Sequence, residues 1–96
     1  MSQPVAIVAT IVAAPGQRTH VEQALVEAVD AVRLEPGCEQ YDLHRDLTNA
    51  DRFVMIERWR DADAVAAHGA GPALAKLGKA LNGNATLDIL KLEHVH

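Results

Sequence analysis

The sequence predicts a single α+β domain with the element order β-α-β-β-α-β. Three observations lead there. Four short runs are rich in β-branched or alternating apolar residues, and two longer stretches carry apolar residues at helical spacing. Proline, glycine and asparagine clusters fall between these segments rather than inside them. With 96 residues the chain makes one small domain, burying roughly two-thirds of its unfolded surface. The packing this order favours is the ferredoxin-like sandwich, a four-stranded antiparallel sheet with helices on one face.

The first strand is Val5 to Val12, apolar throughout and closed by Pro15-Gly16. From Gln17 to Leu34, Val21, Ala24, Leu25, Ala28, Val29 and Val32 recur at i, i+3, i+4 and i+7, which predicts an amphipathic helix of about five turns. Glu35-Pro36-Gly37 stops it, because proline lacks the N–H and disfavours helix in the residue before it. Cys38–Asp46 and Arg52–Arg60 then form two strand-like runs. The polar turn Leu47–Asp51 joins them, which predicts a hairpin. Asp61 is suited to cap a short helix over Ala62–His68. Gly69-Ala70-Gly71 interrupts it, and Pro72 opens a further helix to about Leu81. Asn82-Gly83-Asn84 turns the chain into a last strand, Thr86–Glu93.

Period two makes several of these strands apolar on both faces. In the third, Phe53 and Met55 face one way and Val54 and Ile56 the other. In the last, Leu87 and Ile89 oppose Leu90 and Leu92. One helical layer covers one face only, so the second needs another cover. The same face of a second copy provides it, which predicts a homodimer with its sheets packed face to face.

Composition removes several classes of function. Hydrophobic residues make up 49% and charged residues 23%, so disorder is not expected. The net charge is −4 with no basic cluster, and only Tyr41, Phe53 and Trp59 are aromatic, which argues against nucleic acid as a partner. The apolar run Val5–Ala14 is too short to span a membrane and lacks a basic flank, so a cytoplasmic location without membrane contact is expected. The single cysteine, Cys38, rules out an internal disulfide or a cysteine-rich zinc site and reads as a small filler rather than a nucleophile. His94-Val95-His96 has the spacing of two ligands on one strand face but no third follows, and no glycine-rich dinucleotide motif occurs. No metal site and no cofactor are therefore expected.

Four stretches resemble the antibiotic biosynthesis monooxygenase domain family. They are Glu35-Pro-Gly-Cys-Glu-Gln-Tyr-Asp-Leu-His-Arg-Asp46, Phe53-Val-Met-Ile-Glu-Arg-Trp59, Asp61-Ala-Asp-Ala-Val-Ala-Ala-His68 and the proline at Pro72, in order and at family-like spacing. The resemblance covers essentially the whole chain and implies a dimeric α+β barrel. It implies chemistry of the kind found among members: cofactor-independent oxygenation of quinols and polyketides, isomerisation of a phosphorylated sugar, or haem degradation. Two departures narrow this. Pro72 is followed by Ala73 where members often carry a second histidine, and neither a histidine in Ala73–Leu81 nor an asparagine in the first strand is present for the haem-degrading branch.

The candidate site residues follow from faces and chemistry. His44 is the first choice of general base, since a neutral imidazole takes a phenolic proton near neutral pH. By parity it lies with Gln40 and Asp42, opposite Tyr41 and Leu43, and a bulge decides which set faces Trp59. A surface histidine would read the same way. His68 ends a helix, where the dipole alone favours a cation, and the resemblance makes it a second candidate base in a cavity. Trp59, Glu57, Met55 and Phe53 share one face and are candidate substrate contacts, with core filling as the plainer role of Trp59. Tyr41 could donate a hydrogen bond to a substrate carbonyl.

The expected function is a cofactor-independent monooxygenase that oxidises a small aromatic, quinol or polyketide-like molecule with O2. A proton-transfer enzyme such as an isomerase, or a dimer that only binds a small molecule, are the alternatives.

Overall fold

The computed structural model describes residues 3–96. Its elements are β1 (Val5–Ala13), α1 (Arg18–Val32), β2 (Cys38–Arg45), β3 (Arg52–Trp59), α2 (Ala62–Gly69), α3 (Pro72–Leu81) and β4 (Ala85–Glu93). The four strands form one antiparallel sheet in the order β2-β3-β1-β4. This is the ferredoxin-like architecture, with the second helical segment divided at Ala70-Gly71. The division has local causes. Asp61 accepts a hydrogen bond from the Ala64 N–H at 2.9 Å and starts α2, while Pro72 occupies the first turn of α3, where its missing N–H costs nothing.

Strand register assigns every side chain to a face. Three ranks cross the sheet on the helix side: Tyr41–Glu57–Ile7–Lys91, Leu43–Met55–Ala9–Ile89 and Arg45–Phe53–Ile11–Leu87. Against them α1 buries Val21, Leu25, Ala28, Val29 and Val32, and α3 buries Leu77 and Leu81. Trp59, Phe53, Ile11 and Met55 are among the most completely buried large side chains. Each such burial is worth roughly 1.5–3 kcal/mol, so the β1–β3 half of the sheet anchors the core. By contrast β4 is exposed along nearly its whole length, with Leu87 and Ile89 half open on the inner side.

A bulge at Glu39 settles the parity of β2. Cys38 pairs with Trp59 and Gln40 with Arg58, so one residue of β2 is extra. Beyond the bulge Tyr41 stands opposite Glu57 on the inner face, and His44 stands opposite Val54 on the outer one. The outer face carries Val8, Val54, Ile56, Leu90 and Leu92 with no helix over it. His94–His96 follow β4 without regular structure.

The Glu35-Pro36-Gly37 turn is held to α2 by contact. Gly37 has φ +82°, and a Cβ there would lie 2.5 Å from the Ala64 Cβ. Gly16 has nearly the same φ, +81°, but faces open space. Replacing either by alanine puts an L-residue in the left-handed region, at a cost of about 1–2 kcal/mol. Gly37→Ala should cost visibly more than Gly16→Ala in denaturant unfolding, because it adds a clash between the turn and α2. Equal losses would show that the close approach does not constrain the fold.

Candidate active site

A cavity of about 130 Å³ lies between the sheet and the helices. Its walls come from β1 (Ile7, Ala9, Ile11), α1 (Leu25), α3 (Leu74, Leu77, Leu81) and β4 (Leu87, Ile89), and are almost wholly apolar. The polar exceptions are Tyr41, Glu57, His68 and Lys91. A space of this order admits one aromatic ring.

His68 is the centre of the polar group. Only 6% of it is exposed, in the last turn of α2. Its Nδ1 lies 2.9 Å from Glu35 Oε1, so Nδ1–H donates to the carboxylate. That bond fixes the tautomer and leaves the Nε2 lone pair free when the ring is neutral. Nε2 stands 4.0 Å from Glu57 Oε1, beyond hydrogen-bond range. The ring stacks on Trp59, with centroids 4.5 Å apart at 29°, and meets Tyr41 edge-on at 5.8 Å. Trp59 Nε1–H donates to Glu57 Oε1 at 2.9 Å, which satisfies the indole and holds the carboxylate toward His68.

The surroundings set the protonation of the neighbours. Burial pushes the Glu57 carboxyl up from its ordinary range, partly opposed by the Trp59 hydrogen bond and the nearby His68. Burial, reinforced by Glu57 and Glu35, pushes the Tyr41 phenol up, so it stays a hydrogen-bond donor at neutral pH. Burial also raises the Cys38 thiol, with Glu35 and Glu57 adding to the effect, which suits a filler better than a nucleophile. A base with a free lone pair, a phenolic donor and a carboxyl whose charged form is disfavoured by burial therefore converge on an apolar space. Such a set can take a proton from a bound molecule and stabilise the anion left behind.

The structure brings together His68, Glu57, Tyr41 and Met55 in or at this cavity. It places Trp59 behind His68, as a stacking partner rather than an open wall, and Phe53 in the closed core. His44 lies outside the cavity, exposed on the far face of the sheet, with Nδ1 3.3 Å from the Val54 carbonyl. Glu35 and Lys91 were not singled out as site residues from the sequence. Glu35 read only as the end of a helix, and its partner is 33 residues away. Lys91 was legible, since period two aligns it with Leu87 and Ile89. Among the described residues no cluster of three or more His, Cys, Asp or Glu side chains is arranged to hold a metal ion, and no helix is long and apolar enough to cross a membrane.

A family model described as antibiotic biosynthesis monooxygenase matches residues 4–79. The chain belongs to the antibiotic biosynthesis monooxygenase family. Within and around this family, the crystal structure of PA3566 from Pseudomonas aeruginosa superposes with a TM-score of 0.93 at 35% identity, covering 100% of this chain and 98% of that one. The Deinococcus radiodurans protein named "putative antibiotic biosynthesis monooxygenase" gives a TM-score of 0.89 at 30% identity over 96% and 93% of the two chains. The Mycobacterium tuberculosis protein named "Putative monooxygenase Rv0793" is 31% identical over 72 residues, 75% of this chain and 70% of its own length.

Glu57 makes the electrostatics of this family member testable. Its folded carboxyl holds a proton at pH values where the unfolded chain has released it, so its contribution to stability falls as pH rises through that window. Glu57→Gln does not titrate and keeps an oxygen that accepts from Trp59. The melting temperature of this variant relative to the parent should therefore become more favourable between about pH 4 and about pH 7. A difference that is flat or falls with pH would mean that Glu57 is ionised in the fold at little cost.

Proposed function

We propose that the protein is a cofactor-independent monooxygenase, in which a small aromatic or quinol-like molecule binds beside His68 and is oxidised by O2. The observation that carries this reading is the buried His68, held by Glu35 and aimed into an apolar cavity. His68 Nε2 takes a proton from a phenolic hydroxyl or an activated C–H group, and Glu35 stabilises the imidazolium. Tyr41 donates a hydrogen bond to the substrate anion. The anion passes one electron to O2, and the radical pair combines to a peroxide. Return of the proton and loss of water then convert the attacked carbon to C=O, its own hydrogen and the proton first taken by His68 leaving in the water, so that SH2 + O2 gives S=O + H2O. Orientation and exclusion of water are the protein's contribution, and the apolar walls suit both O2 and an aromatic ring. Proton transfer without oxygen is the second reading, supported by Glu57 standing across from His68 as a second proton carrier.

The same proposal includes a homodimer. What supports it is the outer sheet face, where Ile56, Leu90 and Leu92 are 38%, 55% and 42% exposed beside Val8 and Val54. A two-fold partner would cover this face and leave the inner cavity of each copy intact. Sedimentation equilibrium at micromolar concentration should give twice the 10.3 kDa chain mass, and a mass near 10.3 kDa would remove the dimer.

Catalysis is tested by oxygen uptake from chelator-treated protein with a panel of hydroquinones, corrected for autoxidation. His68→Ala should lower the rate by about 10²–10⁴-fold, the usual contribution of a general base. His44→Ala should leave it unchanged. Uptake no faster than autoxidation across the panel would defeat the oxygenase reading. Deuterium exchange into the same compounds would then favour proton transfer.

A further inference from the structure

We propose that the natural substrate is an amphipathic anion, with its ring or other apolar body beside His68 and a carboxylate-type group held at the mouth of the cavity by Lys91. This rests on the oxygenase reading for which end of the molecule reacts.

The sheet register places the cation. Lys91, Ile7, Glu57 and Tyr41 form one rank on the inner face, and three of these four side chains are polar groups of the cavity. Lys91 and Glu57 sit on strands separated by β1, so their backbones are about 10 Å apart at ordinary strand spacing. A ring with a two- or three-atom arm spans that interval. Between the two ends the walls are hydrocarbon. Leu87 and Ile89, 54% and 46% exposed, continue the cavity along β4 as an apolar shelf that leads to Lys91. The amine forms no ion pair with a described residue, so its charge is open to a ligand.

The carboxylates fix the direction of binding. Glu35 holds its carboxylate against His68, and Glu57 stands 4.0 Å from the other ring nitrogen in a buried place, so a permanently anionic group at that end would meet a carboxylate and lose its hydration. The same group at Lys91 meets opposite charge and keeps part of its hydration. The substrate's fixed anion thus points outward and its neutral, proton-bearing end points to His68.

The test compares two probes of equal size by titration calorimetry near neutral pH. 3-Phenylpropionate carries the carboxylate, and 3-phenylpropan-1-ol replaces it with a neutral hydroxyl. The parent protein should bind the carboxylate about tenfold more tightly, as one partly exposed charge-assisted contact provides. Lys91→Gln should reduce the preference to within about twofold, and Lys91→Arg should retain it. A preference near one in the parent, a preference that survives Lys91→Gln, or no saturable binding of either probe would each overturn the proposal. The readout is independent of turnover. A retained, Lys91-dependent preference with no oxygen uptake would defeat the oxygenase and leave the anion site standing, whereas uptake without the preference would do the reverse.

Discussion

The hydrogen bond between His68 and Glu35 joins the two parts of the fold that must meet for a site to exist. Glu35 lies in the connection between α1 and β2, and His68 in the last turn of α2. Neither lies on a strand. Their meeting depends on Gly37, whose missing Cβ lets the turn lie against Ala64, and on the stack of His68 over Trp59 at the end of β3. A buried imidazole with one nitrogen satisfied by a carboxylate has a defined tautomer and a defined lone pair. The same ring at the surface would have neither, since water would serve both nitrogens equally. Orientation here is therefore a product of burial together with the partner.

Trp59 shows how packing and electrostatics combine at this point. Its indole closes the core, supports the His68 ring and gives its N–H to Glu57. The donation lowers the cost of a carboxyl that burial would otherwise leave unpaired. Tyr41 meets both rings edge-on, at 6.4 Å from Trp59 and 5.8 Å from His68, and completes the cluster from the neighbouring strand. Two of the three aromatic residues of the chain are thus spent around one histidine, while Phe53 serves the core alone.

The element order and most boundaries were legible because they are local. Hydrophobic period, the Asp61 cap, the Pro72 start and the proline–glycine stops are each written within a few residues. The shared face of Phe53, Met55, Glu57 and Trp59 on β3 was legible for the same reason, and the sheet register turns it toward the helices. The face of β2 was not, because it turns on one bulged residue, Glu39, whose presence depends on pairing with a strand 20 residues on. Alternation separates Tyr41 from His44, and the bulge decides that Tyr41 is the one inside. The pairing of Glu35 with His68 was invisible for a similar reason: a contact across 33 residues leaves no local pattern. What sequence reasoning supplied was the set of chemically able residues, and tertiary register chose among them.

The cavity itself follows from small residues at two places. Ala9 sits in the middle rank between Met55 and Ile89, where a larger side chain would fill the space, and Gly69 lines it from the end of α2. The opening along β4 leaves Leu87 and Ile89, 54% and 46% exposed, as an apolar surface continuous with the cavity. Covering such surface is worth roughly 25 cal/mol per Å². A molecule whose apolar body enters the cavity and lies along this shelf gains from both, so the exposed side of β4 and the chemistry proposed for His68 ask for the same kind of occupant.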